Sequence, residues 1–265
     1  MGKCKVKVAV LGADGFLGAA IFTVLSDHYD TEAITRSNYY EKCGKKFDLF
    51  VNANGNSRRY WANSNAYKDF EASTISVYQT MSDFTVGYYV YISSSDVYAS
   101  HCDKLSTVEG AAIFPEKLCS YGFHKYLSEL IVKKHAEKYL ILRNSAMVGE
   151  NMKKGPLWDA LCGEPLFVTL DTKLQFISTR AVGDIIVKLF EGGVHNDTFN
   201  AGGSGTFSFA QAEDILQKKL VVRSDATRQI YEMNIYKLRE KFNLKSSYDY
   251  VTEFLTSLNC QRSEK

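Results

Sequence analysis

Proline is scarce in this chain, with three in 265 residues, and no low-complexity run or internal repeat breaks it up. That excludes beads on Pro-rich linkers and leaves one large or two intimate domains with a sizeable core. The six cysteines (Cys4, Cys43, Cys102, Cys119, Cys162, Cys260) are widely scattered and form no Cys-x-x-Cys pair. A metal site and a disulfide framework are therefore not expected; free thiols of a cytosolic protein are. No apolar stretch is long enough to span a bilayer. Lys3, Lys5 and Lys7 precede an apolar run as in a signal peptide, but Asp14 and three glycines interrupt it. Met1-Gly2 lacks the Ser or Thr at position 6 that myristoylation needs, since Val6 stands there. A net charge of +2 gives no reason to invoke nucleic acid or a membrane surface as partner. The expectation is a soluble cytoplasmic enzyme with a small-molecule substrate.

What is present is most concentrated between Val6 and Gly18. The β-branched run Val6-Lys7-Val8-Ala9-Val10-Leu11 stops at Gly12, glycines recur at Gly15 and Gly18, and a helical apolar pattern follows (Phe16, Leu17, Ala20, Ile21, Val24, Leu25). Strand, tight turn and helix N-terminus in that order suit a pyrophosphate. Glycines let backbone approach it, and the amides that open the helix hydrogen-bond its oxygens. A purely structural βα turn would carry the same spacing, so the context carries the argument, not the glycines alone.

Further along, strands are expected at Glu32–Thr35, Asp48–Ala53, Gly87–Ser94, Tyr139–Arg143, Gln175–Ser178 and Thr198–Ala201. Helices are expected at Asn65–Asp83, Tyr121–Lys138 and Thr179–Glu191. Strands alternating with helices imply an α/β fold: a Rossmann-type, doubly wound, mostly parallel sheet. The expected dinucleotide-binding domain is 1–148 with a contribution from about 175–204. Residues 149–174 and 205–265 are expected to form a small C-terminal substrate lobe.

Tyr121-Gly122-Phe123-His124-Lys125 opens the helix after the fourth strand, and Ser93-Ser94-Ser95 closes that strand. Tyr-x-x-x-Lys occurs once, but with 17 tyrosines the spacing arises easily by chance. Placement adds weight, because residues four apart share a helix face. Reduction of a carbonyl needs a proton for the developing alkoxide. A tyrosine is a reluctant donor and acceptor unless a neighbouring ammonium favours its phenolate. A serine hydroxyl can hold the reacting oxygen. His124 falls between the pair and is given no role. A half-buried tyrosine beside a surface lysine is the plainer alternative.

Taken together these segments resemble the extended short-chain dehydrogenase/reductase superfamily, in its nucleotide-sugar epimerase, dehydratase and reductase branch. Gly12-x-x-Gly15-x-x-Gly18 matches its glycine spacing. Ser93-Ser94-Ser95-Asp96-Val97-Tyr98 is similar to its serine segment, Tyr121 and Lys125 fall where its catalytic pair belongs, and Leu142-Arg143 closes the next strand. Gln175-Phe176-Ile177-Ser178 and Thr198-Phe199-Asn200-Ala201-Gly202-Gly203 resemble two later motifs. The resemblance implies catalytic roles for Ser94, Tyr121 and Lys125. It implies cofactor contacts from Gly12, Asp14, Gly15, Phe16, Leu17, Gly18, Asn54 and Ser93, with Tyr121 and Lys125. Arg36, in Thr35-Arg36-Ser37, stands where NAD-preferring members carry an acid; a guanidinium there suits the 2′-phosphate of NADP. NAD stays open as the alternative cofactor.

Two departures bear on the substrate: Ala146 and Leu174 replace an asparagine and an arginine that contact the nucleotide diphosphate in relatives. Lys153, Lys154 and Arg180 are candidate substitutes, and Ser95 and Asn56 candidate substrate contacts; Arg58 and Arg59 would suit an anion. Asp96 stands one before Val97, where relatives place proton-moving side chains. Its plainer role is to cap a loop. The expected activity is reduction of a keto group of a nucleotide-linked deoxysugar by NADP. The alternatives are an NAD(P)-dependent nucleotide-sugar epimerase that retains its cofactor, and a dinucleotide-binding sensor without turnover. A homodimer through the helices near 65–83 and 121–138 is implied by the resemblance.

Overall fold

The structure is a computed structural model that describes residues 6–263 except Cys102, with side chains from 259 onward not described. Cys4, Cys102, Cys260, Met1-Gly2, Lys3 and Lys5 lie outside that description. The described chain divides into two compact units. The first comprises residues up to Ala99, Glu109–Asn144 and Thr179–Phe199; the second comprises Ser100–Val108, Ser145–Ser178 and Asn200 onward.

The first unit is built on β1 (Lys7–Leu11), β2 (Asp30–Ile34), β3 (Leu49–Asn52), β4 (Tyr89–Ser94), β5 (Tyr139–Asn144) and β6 (Asp197–Ala201). They form one sheet in the order β6-β5-β4-β3-β1-β2. The pairs β1–β2, β1–β3, β3–β4 and β4–β5 are parallel. A parallel sheet covered on both faces needs apolar residues at successive positions. Accordingly Val8, Ala9, Val10, Leu49, Phe50, Val51, Val90, Tyr91, Leu140, Ile141 and Leu142 are all fully buried. Chain order reverses between β1 and β3, the switch point outside which ligands bind in such sheets.

The covering helices are α1 (Phe16–His28), α2 (Ser120–His135) and α3 (Thr179–Glu191). Helices α1 and α3 meet closely: a β-carbon on Gly183 would lie 2.9 Å from Val24 Cβ. The 66–83 segment is helical but not uniform. A π turn at Glu71–Ile75 separates Ala66–Phe70 from Ser76–Asp83, and a further short helix, Arg59–Ser64, precedes it. Arg59 thus opens a short helix ahead of the expected Asn65–Asp83 segment, with Arg58 just before it.

Other boundaries moved for local reasons. Strand β2 covers Asp30–Ile34 instead of Glu32–Thr35, because Asp30 pairs with Lys7 while the Thr35 amide donates to Asn38 Oδ1 at 2.8 Å. Gly87 is not in β4; its amide donates to Phe47 O beside the small Lys46–Phe47/Thr85–Val86 ladder. Helix α2 ends at His135, not Lys138, with Ala136 already extended toward β5.

In the second unit, Ala146–Val148 pairs in parallel with Phe176–Ser178, and Leu166–Val168 with Val222–Thr227. A three-stranded patch and the helices Pro156–Cys162, Phe209–Leu216 and Ser247–Ser263 complete it. Gly202 and Gly203 are tightly placed there. A β-carbon on the first would meet the Gln175 side chain at 2.5 Å, and one on the second would meet Phe176 O at 2.5 Å. Among the described residues no helix is long and apolar enough to cross a membrane, and no group of His, Cys, Asp and Glu could hold a metal.

A fully charged ion pair is enclosed in the core of the first unit. Arg143 donates to Glu129 Oε1 at 2.9 Å and Oε2 at 2.7 Å, and to Tyr98 Oη at 2.8 Å, with both charged groups essentially unexposed. The Ser93 hydroxyl donates to the same carboxylate at 2.6 Å. The guanidinium donates three bonds and the carboxylate accepts three, the kind of satisfaction a buried pair requires. Glu129→Ala would leave the guanidinium buried without its counter-charge. We expect a loss of about 3–5 kcal/mol in urea unfolding; a loss under 1 kcal/mol would contradict this role.

Candidate active site

Three loops at the C-terminal ends of β1, β2 and β3 surround a cleft of about 1060 Å³. Leu11, Gly12 and Asp14 come from the first loop, Thr35, Arg36 and Ser37 from the second, and Asn54, Gly55, Asn56 and Arg58 from the third. The glycine turn is fixed sterically. Gly12 has φ +81°, and a β-carbon on Gly18 would fall 1.9 Å from the Gly12 carbonyl oxygen. The Gly15 amide donates to that oxygen at 2.9 Å. No side chain caps α1 and no acid lies in its first turn. Leu17 is buried, so only its backbone can serve a ligand. The loop after β3 is ordered by the buried Asn52, which donates to Tyr89 Oη at 2.7 Å and accepts from the Asn54 amide at 3.0 Å.

Arg36 and Arg58 line this cleft and have no carboxylate partner among the described residues. Arg180, at the exposed start of α3, is not among the lining residues. Asn56 is held locally: its amide nitrogen donates to Asp69 Oδ1 at 2.8 Å and its oxygen accepts from the Arg58 amide at 2.8 Å.

The serine turn and α2 meet through another missing side chain. A β-carbon on Gly122 would lie 2.0 Å from the Asp96 carbonyl oxygen, so only glycine lets the helix sit on the Ser95–Val97 turn. Tyr121 and Lys125 are buried on that helix. Burial first, and then the Asp96 charge, raise the Tyr121 phenol well above its usual range, and the neighbouring Ser94 hydroxyl only partly offsets them. The expected lowering by Lys125 is not what governs this phenol. It is held as an acid at neutral pH, and the Lys125 ammonium is engaged elsewhere. It donates to Ile92 O at 3.0 Å and lies 5.1 Å from the Tyr91 ring centre.

Ser94 also contacts Asp96: its hydroxyl lies 3.3 Å from Asp96 Oδ2 and accepts from the Asp96 amide at 3.2 Å. Arg59 Nη1 stands 3.3 Å from Asp96 Oδ1. The Asp96 carboxylate is thus ion-paired and accepts from Ser94, and it is the Ser94 hydroxyl that caps the turn by accepting from the Asp96 amide. Ser95 is buried in that turn, and Ser93 turns its hydroxyl inward to Glu129, away from the cleft. In the second unit Leu174 is buried, Ala146 and Lys153 are exposed with Lys154, and His101 stacks on Tyr231 at 4.1 Å. His124, left without a role by its position on the helix, is buried against Asp69, with Nδ1 2.6 Å from Oδ2. Helical spacing gave no signal of that partner.

A doubly wound parallel sheet with a glycine turn at its switch-point cleft defines a Rossmann-type fold. A family model described as NAD dependent epimerase/dehydratase family matches residues 8–202, and the chain belongs to that family. No curated protein matches it. Among solved structures it is similar to the dTDP-4-dehydrorhamnose reductase from Bacillus anthracis in complex with NADP. That match has 17% identity and TM-score 0.79, and covers 97% of this chain and 100% of that one. It is also similar to the UDP-N-acetylglucosamine 4-epimerase from Methanobrevibacter ruminantium (17%, TM-score 0.75, 96% of each chain). A third is the UDP-glucuronic acid 4-epimerase from Bacillus cereus in complex with NAD (15%, TM-score 0.74, 93% of this chain and 99% of that one).

Burial pushes the Lys125 amine down to about 8, against the pull of Asp69 and Glu129. An unfolded lysine titrates near 10.5, so between those values the unfolded chain holds a proton that the folded one has lost. Folding stability contributed by this group therefore rises with pH through that window. Chemical unfolding of the wild type and Lys125→Met from pH 7 to 10 should show the wild type gaining on the variant. A constant difference would contradict it.

Proposed function

We propose that the chain is an NADP-dependent reductase of a keto group, with a nucleotide-linked deoxysugar as substrate. The observation that carries this reading is the join between cleft and acid. Gly55 lines the cleft, and a β-carbon on it would lie 3.8 Å from Lys125 Nζ, on the helix that holds the protonated Tyr121 against Ser94.

The residues present fit a dinucleotide. Gly12 and Gly18 leave a backbone cradle that a β-carbon would fill, and the first amides of α1 have no side-chain cap. Gly12, Asp14, Gly15, Phe16, Leu17 and Gly18 would hold the pyrophosphate, with Asn54 beside it. Arg36, unpaired and exposed on the rim, would take the 2′-phosphate. When bound, the dinucleotide supplies the hydride.

The chain's own part is to position the carbonyl and deliver the proton. Ser94 holds the substrate oxygen by hydrogen bond, and Tyr121 gives its proton to that oxygen as charge develops. Burial of Tyr121 keeps the proton in place until then. Lys125 stabilises the phenolate left behind. Asp96 anchors Ser94 and is itself held by Arg59, which favours a positioning role over proton transfer at carbon. Ser95, Asn56 and Arg180 are the proposed substrate contacts, with residues 149–174 and 205–265 as the substrate lobe. A second copy would dock on the exposed apolar side chains Tyr67, Ile75, Tyr78 and Leu130 of the 66–83 segment and α2.

The test is NADPH consumption with a panel of 4-keto-6-deoxy nucleotide sugars. Tyr121→Phe should lower kcat about 10²- to 10⁴-fold, the usual worth of a positioned general acid. Arg36→Ala should shift preference toward NADH. Epimer interconversion without net NADPH loss, or binding without turnover across the panel, would overturn the reductase reading.

A further inference from the structure

A buried carboxylate that the reaction does not use joins the two halves of the site. Asp69, in the Ala66–Phe70 helix, has no exposed surface. Its Oδ1 accepts from Asn56 Nδ2 at 2.8 Å, and Ser73 Oγ lies 3.5 Å away on the π turn. Its Oδ2 faces His124 Nδ1 at 2.6 Å. A carboxylate can only accept, so Nδ1 carries the proton. The backbone oxygen of His124 is fixed as well, accepting from Thr74 Oγ1 at 3.2 Å and Ser128 Oγ at 2.8 Å.

These contacts close a ring. Asn56 follows Gly55, and His124 precedes Lys125. A β-carbon on Gly55 would stand 3.6 Å from Ser73 Oγ and 3.8 Å from Lys125 Nζ. The loop after β3 therefore meets the catalytic helix at one point, with Asp69 bonded to both sides of it. The π turn places Ser73 at that point, and such turns are frequent where a helix has been reshaped for a site.

We propose that Asp69 is a positioning residue, which locks the Gly55-Asn56 loop against the Lys125 end of α2 and supplies a negative charge to the Lys125 ammonium. The inference rests on the reading of Tyr121 and Lys125 as the catalytic pair. The groups facing Lys125 are Asp69 from the 66–70 helix, Glu129 from α2 itself and the Tyr91 ring from β4. Asp69 and Glu129 both favour its charged form, and burial opposes them. Glu129 is committed to Arg143 and Ser93. Among the described residues Asp69 has no ion pair other than the one with His124, so its charge is the less neutralised of the two.

An amide at position 69 would remove the charge while its oxygen still accepts from Asn56; its NH2 would meet His124 Nδ1 only with the ring proton moved to Nε2. The experiment is competitive acetylation of Lys125 in the free protein, followed by peptide mass spectrometry across pH. The half-labelling point should lie near 8 in the wild type and about one unit lower in Asp69→Asn, the low end of what an opposite charge contributes. Asn56→Ala keeps the charge and cuts the tether. It should leave the half-labelling point in place and weaken NADPH binding about tenfold, roughly 1.4 kcal/mol. An unchanged half-labelling point in Asp69→Asn overturns the proposal. Should that variant not fold, unchanged NADPH affinity in Asn56→Ala overturns it. The labelling needs no substrate or turnover, so its failure is distinct from failure of the reductase reading.

Discussion

Two helices reach the C-terminal edge of the sheet because each lacks a β-carbon where it crosses a carbonyl. Gly18 lets α1 settle on the Gly12 oxygen, and Gly122 lets α2 settle on the Asp96 oxygen, where a methyl group would overlap at 1.9 and 2.0 Å. Protein interiors are packed densely enough that such an overlap cannot be absorbed by small shifts. The first contact aims an uncapped helix N-terminus at the switch-point cleft. The second puts Tyr121 against Ser94. Both halves of the site follow from backbone approaching backbone, and the charged residues act on that frame.

The charges are then arranged by burial. Arg143 and Glu129 are fully enclosed and satisfy each other, with Ser93 and Tyr98 completing the set. That pair fixes the core behind the site. Tyr121 is kept protonated by the same desolvation that pushes Lys125 toward losing its proton. Both shifts have burial as their first cause, which favours the neutral phenol and the neutral amine alike. Arg36 and Arg58 line the cleft, exposed and without a carboxylate partner among the described residues, which suits anion recognition.

Much of this was legible in the sequence because it is local. The glycine turn, the Ser93–Tyr98 segment and the Tyr121/Lys125 spacing each lie within a few residues, and apolar runs located all six strands of the main sheet to within a few positions. What could not be read depends on distant partners. Asp69 and His124 are 55 positions apart, and nothing in either neighbourhood announces the other. Ser93 looks like its neighbour Ser94, yet strand alternation sends it to Glu129, 36 positions away. The Arg59–Ser64 helix has no side-chain cap and the π turn no sequence mark, so periodicity began the helix at Asn65 and ran it unbroken to Asp83. Desolvation of Tyr121 is likewise a property of the packed unit, and the Tyr-x-x-x-Lys spacing alone suggested the opposite shift.

The central claim is that the Gly12–Gly18 turn and Arg36 belong to one dinucleotide site, selective for a 2′-phosphate. Isothermal titration of the purified protein with NADPH and with NADH tests it most directly. The account predicts one site per chain, with NADPH tighter by about tenfold or more, the worth of one charge-assisted contact of about 1.5–3 kcal/mol. Equal affinity for the two, or no binding of either, would contradict it.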